Sequence, residues 1–255
     1  MTDRLLTRPF VLAWFANLAQ GMAFTLFLHF PGFLKNLGAG EVQIGLIVGL
    51  TAVASIAVRP WVGRAMDVRG RRPVILFGNA VNVAVLTLYL TVGDLSAWLY
   101  AIRIVHGFAE ALLFTALFTY GADQVPALRR TEGIALFGIS GMLPLSLGGV
   151  LGDVILSRWD FDVFFMVVLG FGVLSLLLSL PLPEPPSAGV ASEEPRRFLA
   201  SVTQRNLLPL WWITLVFSFA LTAYFTFLKT FVIDTGIGSV GLFFTTYSAT
   251  AIGLR

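Results

Sequence analysis

An arginine, a histidine and a glutamate lie close together in an apolar stretch: Arg103, His106 and Glu110, with Gly107 between them. At about 100° per residue in a helix, Arg103, Gly107 and Glu110 share one face and His106 flanks it. His106 and Glu110 are four residues apart and can touch, whereas Arg103 and Glu110 are about 10 Å apart along the axis. A carboxyl and an imidazole can carry protons, and the guanidinium stays charged, so its role is electrostatic.

The surrounding sequence is apolar enough to lie in a lipid bilayer. Hydrophobic residues make up 57% of the chain and charged residues 12%, and the mean hydropathy is +0.85. Several apolar runs have the length of about 20 residues that a helix needs to cross the hydrocarbon. The alternating pattern of barrel strands is absent, so we predict an all-α, multi-pass membrane protein. The predicted spans are 10–32, 42–62, 73–92, 98–120, 133–156, 161–182, 209–232 and 238–254.

Ionisable side chains inside a bilayer are costly and usually face a cavity or another polar group. We therefore favour a functional site at Arg103, His106 and Glu110 over a polar cluster that only fixes helix packing. For His106, relay of a proton and simple packing both remain open.

The distribution of basic residues predicts the orientation of the chain. With the amino terminus in the cytoplasm, the outer connections hold only Lys35, Arg158 and Lys229 as basic residues, against thirteen arginines in the cytoplasmic segments. This asymmetry follows the positive-inside rule and predicts a protein of the plasma (inner) membrane. A nucleic-acid partner is not expected, because the basic residues are dispersed over short loops. The thirteen are Arg4, Arg8, Arg59, Arg64, Arg69, Arg71, Arg72, Arg129, Arg130, Arg196, Arg197, Arg205 and Arg255.

A weak internal repeat and a polar, proline-rich segment divide the chain. Residues 40–46 resemble residues 236–242, and at the same offset Arg59 lies over Arg255, the last residue. Like-oriented repeats of this kind occur in transporters built from two bundles. We predict a six-helix bundle over 1–182, a cytoplasmic linker over 183–208, and the first two helices of a second bundle over 209–255. On this interpretation the chain is a fragment of a twelve-helix protein.

The loop between the second and third spans carries a motif of glycine, carboxylate and arginine. A tight turn uses glycine, and a carboxylate holds a neighbouring guanidinium or sits at a helix amino terminus. A basic loop that merely follows the inside rule explains the arginines but not the spacing. The motif residues are Gly63, Asp67, Gly70, Arg71 and Arg72.

At this motif the chain resembles the major facilitator superfamily, whose corresponding loop reads Gly-x-x-x-Asp-Arg-x-Gly-Arg-Arg. Val68 stands where that family usually has an arginine. The resemblance implies a twelve-helix transporter in which this loop latches the two halves on the cytoplasmic side. It also implies proton coupling at a fourth-helix pattern Arg-x-x-Gln-Gly, matched here by Arg103 and Gly107 with His106 in place of the glutamine. Glu110 is then the expected proton carrier.

Small residues and a proline in the fifth span are similar to a glycine-rich pattern of the family's efflux branch, with looser spacing. Ordinary close packing of helices explains them equally well. They are Gly138, Gly141, Pro144, Gly148 and Gly149.

Four residues are candidates for contact with a substrate: Asn17, Gln20 and Phe24 on the first span and Tyr224 on the seventh. The resemblance implies this contact with a substrate, because the first, fourth, seventh and tenth helices line the central cavity in that family. For Asn17 and Gln20 the alternative is hydrogen bonding between helices.

These observations favour a secondary active transporter of a small organic solute, coupled to protons and more consistent with efflux. Proton-coupled uptake of a sugar or organic acid remains an alternative, and a channel or scaffold is the alternative from another class. No nucleotide-binding loop, metal-ligand cluster or catalytic triad is recognised, so no enzyme activity, metal or cofactor is predicted. The expected partners are the solute, protons and the lipid bilayer, with a monomer as the complete form.

Overall fold

The computed structural model describes residues 4–185 and 204–253, and over these residues it is helical, with no strand. Within these residues, seven helices are long and apolar enough to cross a membrane, which confirms the predicted all-α membrane fold. An eighth helix, α8, covers Val240–Gly253. It corresponds to the predicted span 238–254, of which residue 254 lies outside the described part. The seven are α1 Arg8–Asn36, α2 Glu41–Arg69, α3 Arg71–Thr91, α4 Ala97–Asp123, α5 Ala127–Leu156, α6 Phe161–Ser179 and α7 Arg205–Thr235.

The helix ends follow from local sequence signals. The side chain of Thr7 caps the start of α1 by accepting a hydrogen bond from the amide of Phe10, at 3.4 Å. Near its other end α1 tightens into a 3-10 turn over Phe27–His29, and Pro31 follows in the first turn of the helix that resumes at Phe30. Proline is tolerated in a first helical turn because the missing N–H would be unpaired there anyway.

The helices pack in the order α2, α4, α3, α6, α1, α5 and α8, each against the next. Helix α4 lies between α2 and α3 and also reaches α1. Helix α7 contacts the last turns of α1, while residues 208–220 at its start are exposed. The described parts of the chain therefore meet α7 at one end only, which we name the arginine-poor end because it holds Lys35, Arg158 and Lys229 as its basic residues.

Among the described residues, two large apolar clusters fill the first six helices and α4 contributes to both, while a third, small cluster joins Leu28 of α1 to Val240 and Phe244 of α8. The cluster at the arginine-poor end is rich in aromatic rings, among them Phe30, Tyr89 and Phe165, and takes Ile102 from α4. The cluster at the opposite end takes Leu112 and its neighbours from α4. The buried polar residues Arg103, His106 and Glu110 thus lie between two apolar layers.

The division into domains stays a prediction. Residues 186–203 of the expected linker lie outside the described part. Residues 182–185 before them have no regular structure, and a 3-10 turn over Arg205–Leu207 opens α7.

Candidate functional site

The guanidinium of Arg103 is buried, and neutral groups hold it. Its Nε donates to the carbonyl of Ile47 at 3.2 Å, and Nη2 donates to that of Val48 at 3.4 Å. Its carbon lies 4.8 Å from the centre of the Phe30 ring, a cation–π arrangement. Nη1 donates to the hydroxyl of Tyr89 at 3.2 Å. Because all of these partners are neutral, they stabilise the positive charge of Arg103 but do not neutralise it.

A continuous series of polar contacts connects this charge to Glu110. The Tyr89 hydroxyl lies 3.0 Å from Nδ1 of His106, and Nε2 of His106 lies 3.4 Å from Oε1 of Glu110. The phenol oxygen accepts from Arg103, so its own proton is available to Nδ1 of His106. The other ring nitrogen then carries the proton that faces the Glu110 carboxylate. We name Arg103, Tyr89, His106 and Glu110 the polar chain.

A glycine brings α2 into contact with α4, the helix that carries three members of the polar chain. A Cβ on Gly107 would lie 2.9 Å from the Cβ of Ala54 and closer still to the carbonyl oxygen of Thr51. The Thr51 hydroxyl donates to the carbonyl of Arg103 at 3.2 Å across the same junction. Close approach of α2 and α4 is what lets Arg103 reach the α2 carbonyls, so Gly107 has a packing role.

Of the four substrate candidates, two on α1 face other helices of the bundle. Nδ2 of Asn17 donates to the hydroxyl of Ser140 on α5 at 2.8 Å, and Asn17 is partly exposed. Gln20 is buried, and its carbonyl accepts from Nδ2 of Asn82 on α3 at 3.1 Å. Both contacts are hydrogen bonds between helices, the alternative that the sequence left open.

The two aromatic candidates contact other aromatic rings. Phe24 is partly exposed and packs edge-on against Phe114 of α4, with ring centres 4.8 Å apart. Tyr224 on α7 is exposed and contacts the ring of Phe243. Phe24 and Phe114 lie on the two helices that carry Asn17 and Glu110, and together they offer an aromatic surface near the polar chain.

The loop between α2 and α3 is held by carboxylates that differ from the expected one. Nε of Arg71 donates to Asp123 at the end of α4 at 3.0 Å, whereas the Asp67 carboxylate is 3.9 Å from Nη1 of Arg71 and mostly exposed. The first amides of α3 donate to Glu184, from Arg71 at 2.6 Å and from Arg72 at 2.9 Å. The sequence made Asp67 a candidate for the carboxylate that sits at a helix amino terminus. In the structure Glu184 takes that place at the start of α3.

Gly70 ends α2 with φ +88°, a conformation that favours glycine, and its missing side chain leaves room for the Glu184 carboxylate. Nη2 of Arg72 donates to the carbonyl of Leu180 at 3.1 Å. Gly70 and the first residues of α3, Arg71 and Arg72, are therefore tied to the segment that follows α6. Gly63 and Asp67, predicted in the loop, lie within α2 instead, and a Cβ on Gly63 would meet open space.

The small residues of α5 divide into two groups. A Cβ on Gly148 would overlap the Thr25 side chain of α1, and one on Gly149 would lie 3.1 Å from the Cα of Gly241 on α8. Gly138 has open space at the Cβ position, and Gly141 meets only an ordinary contact with Asn17. The carbonyl of Pro144 accepts from the Thr25 hydroxyl at 2.8 Å, so the middle and end of α5 form the tight junctions.

Sequence reasoning missed Tyr89 and Glu184. Tyr89 lies on a different helix from the rest of the polar chain, so no spacing connects it to them. Glu184 lies in a proline-rich stretch that reads as a linker. Over residues 4–185 and 204–253, no group of three or more metal-ligating side chains is arranged to hold an ion.

Comparison with known proteins of similar structure and sequence shows the family of this chain. It is similar to the crystal structure of the human organic anion transporter MFSD10 (TETRAN), with a TM-score of 0.60 and 23% identity, covering 70% of this chain and 48% of that one. In sequence, the chain is 26% identical over 181 residues to multidrug resistance protein MdtL of Escherichia coli, in strains O81 (ED1a) and K12. The match covers 70% of this chain and 46% of MdtL, so the chain spans about half the length of the curated relatives it matches. A profile of the Major Facilitator Superfamily matches residues 10–255, and because this is nearly the whole sequence, the chain belongs to that family.

Proposed function

We propose that this chain is part of a secondary active transporter that exports a small organic solute by alternating access in exchange for protons. The observation that carries the proposal is the buried polar chain. It places a carboxyl, an imidazole and a phenol in sequence within a helix bundle that crosses a membrane, with a fixed positive charge at its end.

Glu110 carries the proton in this mechanism. When the carboxylate is ionised, its charge balances that of Arg103, and the site is neutral overall. When the carboxyl binds a proton, the site carries one positive charge inside an apolar bundle. Because charge inside a bilayer is costly, protonation changes the free energy of each conformation according to how much water reaches the site. That difference couples proton binding to the movement of the helices.

His106 and Tyr89 carry the change in charge to Arg103. A proton on Glu110 changes the hydrogen bond between Nε2 of His106 and the carboxyl group. The hydrogen bond between Nδ1 of His106 and the Tyr89 hydroxyl then changes with it. The phenol contacts the guanidinium that holds α2, at Ile47 and Val48. Protonation of Glu110 thereby changes the contacts at the junction of α2 and α4.

The solute contacts the aromatic surface of Phe24 and Phe114, with Tyr224 and Asn17 as further contacts. An aromatic, largely apolar surface suits an amphipathic organic molecule. One relative in sequence is named a multidrug resistance protein, which supports an organic solute as the cargo. We place the protein in the plasma (inner) membrane with the amino terminus in the cytoplasm, as the arginine distribution favours, and we propose a monomer as the complete form.

The test replaces Glu110 by glutamine, which keeps the size and removes the ionisable proton. The complete protein that contains this chain is reconstituted in liposomes, and solute flux is measured with and without a pH gradient. We expect Glu110→Gln to abolish pH-driven flux, while solute exchange without a gradient and the melting temperature are retained. Glu132→Gln is the matched control, because Glu132 is exposed and pairs with Arg129 at 2.5 Å outside the polar chain. Undiminished proton-coupled flux in Glu110→Gln would remove Glu110 from the mechanism.

A further inference from the structure

A second buried group of charges lies at the arginine-poor end, where α1, α5, α7 and α8 meet. Its centre is the carboxylate of Asp153 on α5. Nε2 of His29 lies 3.0 Å from Oδ1, and Nζ of Lys229 lies 3.5 Å from the same oxygen. The amide of Gly241 donates to Oδ2 at 2.7 Å. One carboxylate thus collects donors from three other helices.

This junction is well packed and largely closed to solvent. The side chain of His29 is fully buried, and those of Lys229 and Asp153 are 13% and 24% exposed. A Cβ on Gly152 would overlap the imidazole of His29, and a Cβ on Gly241 would lie 2.7 Å from the Cα of Val150. Glycine at these two positions therefore brings the imidazole and α8 within reach of Asp153.

The charges have complementary positions. Gly241 lies in the first turn of α8, where the amides have no partner within the helix and the helix dipole favours a negative charge. Asp153 supplies that charge, and Lys229 supplies a positive one beside it. Hydrogen bonds to a charged group in a low-dielectric site are stronger than neutral ones, and leaving one partner alone there is costly.

Two further contacts join α7 to α1 and α2 at this end. Lys35 of α1 forms an ion pair with Asp234 of α7, and the hydroxyl of Thr230 on α7 lies 3.5 Å from Oε2 of Glu41 on α2. By contrast, residues 208–220 at the other end of α7 are exposed. The polar contacts of α7 with the first six helices are concentrated at this end in the described residues.

We propose that Asp153, His29, Lys229 and the amide of Gly241 form a lock that holds α7 and α8 against the first six helices on the outer side. The proposal rests on the proposed alternating-access function and adds to it the group that must separate when the outer side opens. Asp153 is a positioning residue, since it acts on the helices and not on the solute. Removing its charge leaves Lys229 without its carboxylate and weakens the hold on the start of α8.

The distance across this end can be measured directly, because the chain contains no cysteine. Cysteines at Trp159 and Ile237, both exposed and outside the lock, accept nitroxide spin labels. Double electron–electron resonance of the labelled protein in nanodiscs then gives the populations of short and long separations. For Asp153→Asn we expect the ratio of long to short separations to rise roughly tenfold, as for loss of one charge-assisted hydrogen bond. Asp162→Asn, at an exposed carboxylate in the first turn of α6, is the matched control and should leave the ratio unchanged.

Lys229→Gln is a second variant that keeps the carboxylate and removes the positive charge beside it. It should shift the ratio in the same direction even if Asp153→Asn does not fold. Unchanged distances in every folded variant would overturn the lock, whatever the transport assays show. If the distances shift but no variant, nor the unaltered protein, moves solute in liposomes, the lock stands and the proposed function fails.

Discussion

Replacing Gly107 by alanine tests whether the close contact between α2 and α4 supports the polar chain. The added Cβ would lie 2.9 Å from the Cβ of Ala54, where ordinary contact begins near 3.4 Å, so the helices must separate by at least 0.5 Å there. The carbonyl of Thr51 is closer still and belongs to the backbone, which cannot rotate away. Overpacking costs roughly 1–3 kcal/mol, and because the nearest atom here belongs to the backbone we take roughly 2–3 kcal/mol, the upper part of that range. Alanine recovers about 1 kcal/mol through its higher helix propensity.

We therefore expect Gly107→Ala to destabilise the protein by about 1–2 kcal/mol net. At roughly 2–4 °C per kcal/mol for a chain of this size, the melting temperature should fall by about 2–8 °C. The assay is thermal unfolding in detergent at one fixed scan rate, followed by tryptophan fluorescence. Gly138→Ala is the matched control, since a Cβ there meets open space, and it should melt at the same temperature or slightly higher. A Gly107→Ala protein that melts at or above the unaltered one would refute the packing argument.

Three further outcomes follow from the contacts of the site. Tyr89→Phe should reduce proton-coupled flux in liposomes while exchange without a gradient persists, because it breaks the link between Arg103 and His106. Tyr100→Phe, which loses one contact with α2, should leave proton-coupled flux unchanged. Glu184→Gln should speed trypsin cleavage in the loop between α2 and α3 more than Asp67→Asn does, because Glu184 holds two amides of α3 and Asp67 is mostly exposed; equal rates would contradict this. Phe24→Ala should raise the KM for solute more than it lowers the maximal flux, and an unchanged KM would exclude Phe24 from solute binding.

The positions of the helices could be predicted because a helix that crosses lipid needs a long apolar run. The residues at which the helices end were harder to predict. The second span was expected to end at residue 62, whereas α2 continues to Arg69. Backbone hydrogen bonds do not depend on apolar side chains, so a helix extends past the hydrocarbon into the polar layer. The eighth helix begins at Val240 because Gly238 before it has φ +83°.

Within the site, contacts along one helix were predictable and contacts between helices were not. The spacing of His106 and Glu110 predicts their proximity, and the structure places them 3.4 Å apart. Nothing in the sequence shows which neighbour a polar face of α1 meets, so Gln20 was a candidate for both a substrate and an interhelical contact. For the same reason glycines of one pattern separate into the open Gly138 and the tightly packed Gly148.

The way Arg103 is anchored has a consequence for how sequences of this kind can diverge. Its acceptors on α2 are the backbone carbonyls of Ile47 and Val48, which every residue type supplies. In a saturation mutagenesis experiment the arginine itself should tolerate almost no exchange. Position 47 should accept any aliphatic residue, because burial alone constrains it, and the partly buried position 48 should be freer still. Covariation methods would then find no partner for the arginine on α2, although the physical bond is present.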